Sequence, residues 1–287
     1  MIARKTNVFA TIILSYLFLS GCKDIEAEIP TYLVIPEITV KTTDVDQGTN
    51  SSSFSDAYVY INERLIGIYN LPATIPILNE GQVKLTIGGG IKQNGVYESR
   101  LRYPFYTQFD TILDLVKSQT TTISPVLGYR DNAKFDTFFE NFETGINFET
   151  GSTSDTSIVR TIVPEESFEG YSGKIILDEN KERFEVYTPD IIDVPRFNTS
   201  PVYLELNFKG NIFVNFGSYF DNKNTNQIYV VLPPKQTWTK IYINLTEMLG
   251  TNGNASNFNF FFAYNKAVTN FKGTAEFYLD NVKIVTF

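Results

Sequence analysis

Histidine is absent from all 287 residues, and cysteine, tryptophan and methionine are scarce, with one Cys, one Trp and two Met. Without imidazole the chain lacks the usual general base, so Ser-His-Asp and Cys-His nucleophile systems are excluded, and the commonest metal ligand is missing. A lone cysteine forbids any intrachain disulfide and deprives zinc and most transition metals of their usual ligands. The chemistry left open rests on oxygen: paired carboxylates, as in glycoside hydrolysis, or a hard cation such as Ca²⁺. Cations are also in deficit, 24 Lys and Arg against 32 Asp and Glu, for a net charge of −8. Such a surface repels phosphates and anionic headgroups, so neither nucleic acid nor a charged bilayer surface is an expected partner. Stability must come from burial, and 24 Phe with 17 Tyr supply the apolar area.

The single cysteine, Cys22, ends a segment with three parts. Met1–Asn7 carries Arg4 and Lys5 and no acid, Val8–Ser20 is mostly apolar, and Ser20-Gly21 are small. This is the layout of an export signal, and its apolar core is too short for a lasting membrane span. Leu19-Ser20-Gly21-Cys22 resembles the lipobox of bacterial lipoproteins. That resemblance implies cleavage before Cys22 and acylation of its sulfur and new amino group; an ordinary export signal ending in a chance cysteine is the alternative. Loss of residues 1–21 would remove two cations and no acid, taking the charge from −8 to −10. Attachment to a membrane would then depend on acyl chains, each buried CH₂ contributing about 0.8 kcal/mol. Lys23–Glu28 reads as a solvated acidic tether. It also resembles the short acidic signal that sends lipoproteins of Bacteroidota-type bacteria to the outer face of the outer membrane. The expectation is a signal over 1–21, a tether over 22–30, and a lipid-anchored protein exposed at the cell surface.

Downstream the chain reads as all-β. Pro30 and Pro36 bracket an extended Tyr32–Ile35, Asn62-Glu63 forms a turn pair between two apolar runs, and Val83, Leu85 and Ile87 alternate with polar residues. Asp110–Gln119 reads as strand, and Gly88-Gly89-Gly90 as a bulge or loop, since no Lys-Ser/Thr or helix-forming run follows. Ala57–Asn62, Gly67, Leu71-Pro72-Ala73 and Glu80–Leu85 are similar to the PEGA-type module of bacterial surface proteins. The resemblance implies a small, chemically inert β-sandwich over 31–128 that acts as a spacer or adhesion unit. The polar, turn-rich stretch Gly128–Lys134 marks a boundary.

Beyond it, short strands recur at even spacing, the pattern of a sandwich or jelly roll. A Phe139-Glu140 to Phe142-Glu143 opening, Gly173-Lys174, Trp238-Thr239-Lys240-Ile241 and a closing Leu279-Asp280-Asn281-Val282 occur in this order. That series is similar to the galactose-binding-like jelly roll of many carbohydrate-binding modules, here over 135–287. The resemblance implies a non-enzymatic binding or accessory role with a glycan as ligand, and a structural Ca²⁺ between Glu143 and Asp280, with no other cofactor required. Asp280-Asn281 as a plain turn pair is the alternative.

Candidate glycan contacts are Tyr219 and Phe220, aromatics entering the polar run Asp221–Asn224, together with Trp238, Tyr264 and Asn265. An aromatic face suits the apolar face of a pyranose. Trp238 at the head of an alternating strand also reads as core packing at the rim. Two other functions stay open: a protein–protein subunit or adhesin component of an envelope machine, and a carboxylate-type glycosidase, which no acid pair positioned by sequence supports.

Overall fold

The computed structural model describes residues 29–287. Cys22 and most of the acidic tether therefore lie outside the described residues. No described helix is long and apolar enough to cross a membrane.

Ten strands build the N-terminal unit: β1 (Thr31–Ile35), β2 (Thr39–Val40), β3 (Asp56–Ile61), β4 (Arg64–Asn70), β5 (Ala73–Ile77), β6 (Gly81–Lys92), β7 (Arg100–Arg102), β8 (Phe109–Leu115), β9 (Thr120–Thr122) and β10 (Val126–Leu127). Asn62 and Glu63 both take positive φ, 49° and 67°, which matches the twist of β3 and β4 and closes them into a hairpin. β6 is long enough to pair with β3 on one edge and with β8 and then β7 on the other. A second sheet runs β5-β1-β9, and β2 pairs with β10. Alternation buries Leu33, Ile35, Val59, Ile61, Val83, Leu85 and Ile87 between the layers.

Gly88–Gly90 are neither bulge nor loop: they continue β6 opposite Tyr58, Ala57 and Asp56. A Cβ on Gly89 would strike the Phe54 ring, and one on Gly90 would stand 2.9 Å from the Tyr58 ring. The glycines are there so that neighbouring side chains can lie across the backbone.

Eleven strands follow: β11 (Phe139–Glu140), β12 (Glu149–Thr150), β13 (Val159–Thr161), β14 (Ser172–Leu177), β15 (Arg183–Tyr187), β16 (Tyr203–Gly210), β17 (Val214–Phe220), β18 (Thr225–Leu232), β19 (Lys235–Asn244), β20 (Phe258–Asn265) and β21 (Ala275–Val285). One sheet runs β13-β14-β21-β16-β19, with β11 also on β21; the other runs β12-β15-β20-β17-β18. All their pairings are antiparallel. Phe208, Phe216, Phe258, Phe260, Phe262 and Phe277 fill the space between them. Two short helices, α1 (Thr246–Thr251) and α2 (Lys266–Thr269), close loops at the edges. The protein is all-β, a small layered N-terminal unit followed by a two-sheet sandwich of jelly-roll type.

The first of these sheets turns its outward face to the N-terminal unit. Tyr203, Tyr242 and Val285 belong to the N-terminal core, beside Tyr103, Phe105, Tyr106 and Tyr129. At the centre lies Glu205, fully buried, accepting hydrogen bonds from Tyr103 (2.6 Å) and Tyr129 (2.8 Å) and paired with Lys240 (2.7 Å) and Lys283 (3.6 Å). The polar stretch 128–134 is drawn into this junction, with Tyr129 and Phe135 packed edge to face at its two ends.

Candidate functional site

On the second sheet, Phe184 and Val186 of β15 point into the core, so Arg183, Glu185 and Tyr187 face outward. The same alternation turns Asn215, Gly217 and Tyr219 of β17 outward, and Asn259, Phe261 and Ala263 of β20. Strand register aligns Glu185, Ala263 and Asn215 in one row and Tyr187, Phe261 and Gly217 in the next. A Cβ on Gly217 would overlap the Gln227 carbonyl and lie 2.7 Å from the Phe261 ring. Glycine there lets Phe261 lie flat against the sheet, buried although it is on the outward face.

Tyr219 packs on Phe261 with ring centroids 5.1 Å apart and meets Tyr187 edge to face at 6.3 Å. Its hydroxyl donates to Glu185 Oε2 at 2.9 Å. Burial and the Glu185 carboxylate push the Tyr219 phenol up to about 12, so it stays a donor at physiological pH. Lys223 Nζ sits 4.2 Å from the Tyr187 ring centre and 3.5 Å from Glu149 Oε2. Beside this aromatic group is a hollow of about 220 Å³ lined by Ser154, Arg183, Glu185, Asn215 and Asn265. Two half-buried tyrosine rings bordered by amide, guanidinium and carboxylate groups can stack on one apolar ligand face and hydrogen-bond its rim.

The sequence candidates do not converge. Tyr219 lies in this site, but Tyr219-Phe220 end β17 instead of entering a loop. They continue the alternation of Val214 and Phe216, which turns Phe220 into the core against Phe258 (5.6 Å), away from any surface ligand. Tyr264 turns its ring to the core side, its hydroxyl 2.7 Å from Thr269 Oγ1, while the residue also borders the hollow. Asn265 borders the hollow while its side chain caps α2 by accepting from Ala267 N at 2.9 Å. Trp238 stands on the other sheet; its indole N–H donates to the Ser167 carbonyl (3.1 Å) and its ring meets Phe168 and Tyr278. Sequence reading missed Glu185 and Tyr187, although the alternation Phe184, Val186 against Glu185, Tyr187 was there to find.

Glu143 and Asp280 line a separate hollow together with Asn141, Glu169 and Asn281. Asp280 accepts from Ser172 Oγ (2.7 Å) and Asn281 N (2.7 Å), and Glu143 from Tyr171 N (2.8 Å). Burial pushes the Asp280 carboxyl up to about 7, and the Glu143 charge adds to the effect. Neither acid makes an ion pair among the described residues. No group of three or more acidic or sulfur ligands clusters tightly enough to hold a metal among those residues. An ion there would have to draw on two carboxylates and neighbouring amide oxygens.

No protein-family model matches the chain, and no curated protein does. Solved structures with a similar fold include the enzymatically active domain of bacteriophage CBA120 tailspike protein 4, at 14% identity and a TM-score of 0.38, covering 51% of this chain and 20% of that one. The family 11 carbohydrate-binding module of the Clostridium thermocellum cellulosomal cellulase Lic26A-Cel5E is similar at 15% identity and TM-score 0.36, covering 53% and 94%. A family 29 carbohydrate-binding module follows at 10% identity and TM-score 0.35, covering 54% and 89%. Likeness this distant carries no argument about ligand or activity, which must come from the residues.

Proposed function

We propose that this is a lipid-anchored, non-enzymatic binding protein of the cell envelope, attached through Cys22 and displayed at the outer membrane surface, with a glycan as its ligand. The observation that carries the glycan reading is the outward pair Tyr187 and Tyr219 on a sheet whose neighbouring positions are Arg183, Glu185 and Asn215. The N-terminal unit packs against the opposite sheet, so this face is left to a ligand. The carboxylates nearest the rings are engaged, Glu185 by Tyr219 and Glu149 by Lys223, whereas hydrolysis needs two carboxyl groups flanking a scissile bond.

Glycan-array and affinity-gel binding of the wild type, followed by calorimetry of Y187A, Y219A and Y219F, tests the reading. Loss of either ring should weaken binding by about tenfold or more, while Y219F, which keeps the ring, should retain most of it. Silence across plant, host and microbial sugars would discard the glycan, and recovery of one stoichiometric envelope partner would put a docking subunit in its place.

Glu143 and Asp280, with amide oxygens of Asn141 and Asn281, would hold a structural Ca²⁺, whose charge would favour the ionised form of Asp280. Millimolar Ca²⁺ should then raise the melting temperature of the wild type by a few degrees, reversibly with chelator, and leave E143Q and D280N unmoved. An equal response in all three proteins would rule the site out.

A further inference from the structure

A further cavity, about 360 Å³, opens where the N-terminal unit meets the edge of the sandwich. Its wall on one side is the turn after β6, where Asn94 (φ 56°) and Gly95 (φ 72°) dock on β19. Asn94 N donates to the Tyr242 carbonyl and Asn94 Oδ1 accepts from Asn244 N, both at 2.8 Å, so this wall is fixed. Phe208 and Ile241 supply an apolar floor, and Val231 and Pro233 the opposite lip.

The charges in this cavity run against those of the protein. Lys92, Lys235 and Lys240 line it and no acid does, in a chain with eight more acids than bases. Lys240 is committed to Glu205 at 2.7 Å. Lys92 Nζ lies 5.2 Å from the Tyr97 ring centre, and half-buried Lys235 makes no ion pair among the described residues. Two cations over an apolar floor, with no internal counter-charge, suit a ligand that carries both an anionic group and an apolar face.

The cavity is also continuous in register with the tyrosine-bearing sheet. Glu185, Ala263, Asn215 and Val231 sit opposite one another on β15, β20, β17 and β18. Glu185 and Asn215 line the polar hollow and Val231 lines the cleft, roughly 14 Å apart end to end at the usual strand spacing. We propose that the cleft is an anion subsite, taking the carboxylate or sulfate of an acidic polysaccharide whose chain lies across the sheet along this row. The inference rests on the glycan reading of the sheet and adds the charge class of the sugar.

Calorimetric titration with two matched pairs tests it: trigalacturonate against its methyl ester, and a κ-carrageenan tetrasaccharide against its desulfated form. The wild type should bind one of the charged sugars about tenfold or more tighter than its neutral counterpart, with a preference that shrinks as salt is raised. K92Q/K235Q should lose that preference and Y187A/Y219A should keep it while binding all forms more weakly. Which pair shows the effect identifies the anion as carboxylate or sulfate. No preference in the wild type, or a preference unchanged in K92Q/K235Q, overturns the subsite. Neutral sugars that bind through Tyr187 and Tyr219 regardless of charge would remove the cleft and leave the sheet reading standing. A lysine-dependent charge preference together with an affinity for every form that Y187A/Y219A leaves unchanged would do the reverse.

Discussion

Lys283 is a lysine held almost entirely away from water. It is almost fully buried, 3.6 Å from Glu205, donates to the Gln47 carbonyl, and lies 4.9 Å from the Tyr129 ring centre. One carboxylate faces two ammonium groups here, since Lys240 also pairs with Glu205. Burial alone would raise the Glu205 carboxyl, but the two lysines more than reverse this and hold it at about 2. For Lys283 burial wins: it pulls the ammonium down to about 7 from 10.5 despite the attraction of Glu205. Between those two values the unfolded chain binds more protons than the folded one, so this group makes stability rise with pH from about 7 towards 10.5. Replacing Lys283 with Met keeps an unbranched chain of similar length and removes the second buried charge. K283M should be more stable than wild type at pH 7, by an amount that narrows as pH rises to 10. Denaturant melts of both proteins across that range check this, and parallel pH profiles would show that Lys283 does not titrate in the fold.

At the scale of elements, what could be read from sequence depended on whether one strand carried its own signal. The hairpin at Asn62-Glu63 was legible because both residue types tolerate the positive φ it needs, and Val83, Leu85 and Ile87 announced β6 by strict alternation. Of the expected strand Asp110–Gln119, 110–115 belongs to β8, where Thr111, Leu113 and Leu115 alternate with exposed neighbours, whereas 116–119 turn the chain into β9. Gly88–Gly90 misled because a glycine run looks like a break, whereas its cause lies in Phe54, Tyr58 and Arg102 on other segments. The candidate site shows the same division. Tyr219 was visible as an aromatic beside a polar run, but its partner Tyr187 is brought to it by β20, a strand 71 residues further on that no local pattern links to either. The cleft lysines, 92 and 235, carry no motif at all; they become a pair only when the turn after β6 docks on β19.

For the whole molecule, the junction decides whether the two units behave as neighbours or as one body. Domains joined by a small polar contact move relative to one another by default. Here Tyr203, Tyr242 and Val285 of the sandwich complete the N-terminal core, the Lys134–Thr286 bridge ties the connecting segment to the last strand, and Ser53 N donates to the Tyr242 hydroxyl at 3.2 Å. Tyr242 meets Tyr103 at 4.8 Å and Tyr106 at 6.3 Å, so its ring is shared between the units. Calorimetry of the protein should therefore give one two-state transition, with van't Hoff and calorimetric enthalpies in agreement. Y242A should lower that single transition, by about 3–5 kcal/mol on the scale of large-to-small aromatic truncations, without splitting it. Two transitions in the wild type, or a Y242A effect confined to one half, would mean that the units fold independently. The cleft bounded by Lys92 and Lys235 would then open and close with domain motion, and its preference for anions would depend on linker behaviour instead of on a fixed wall.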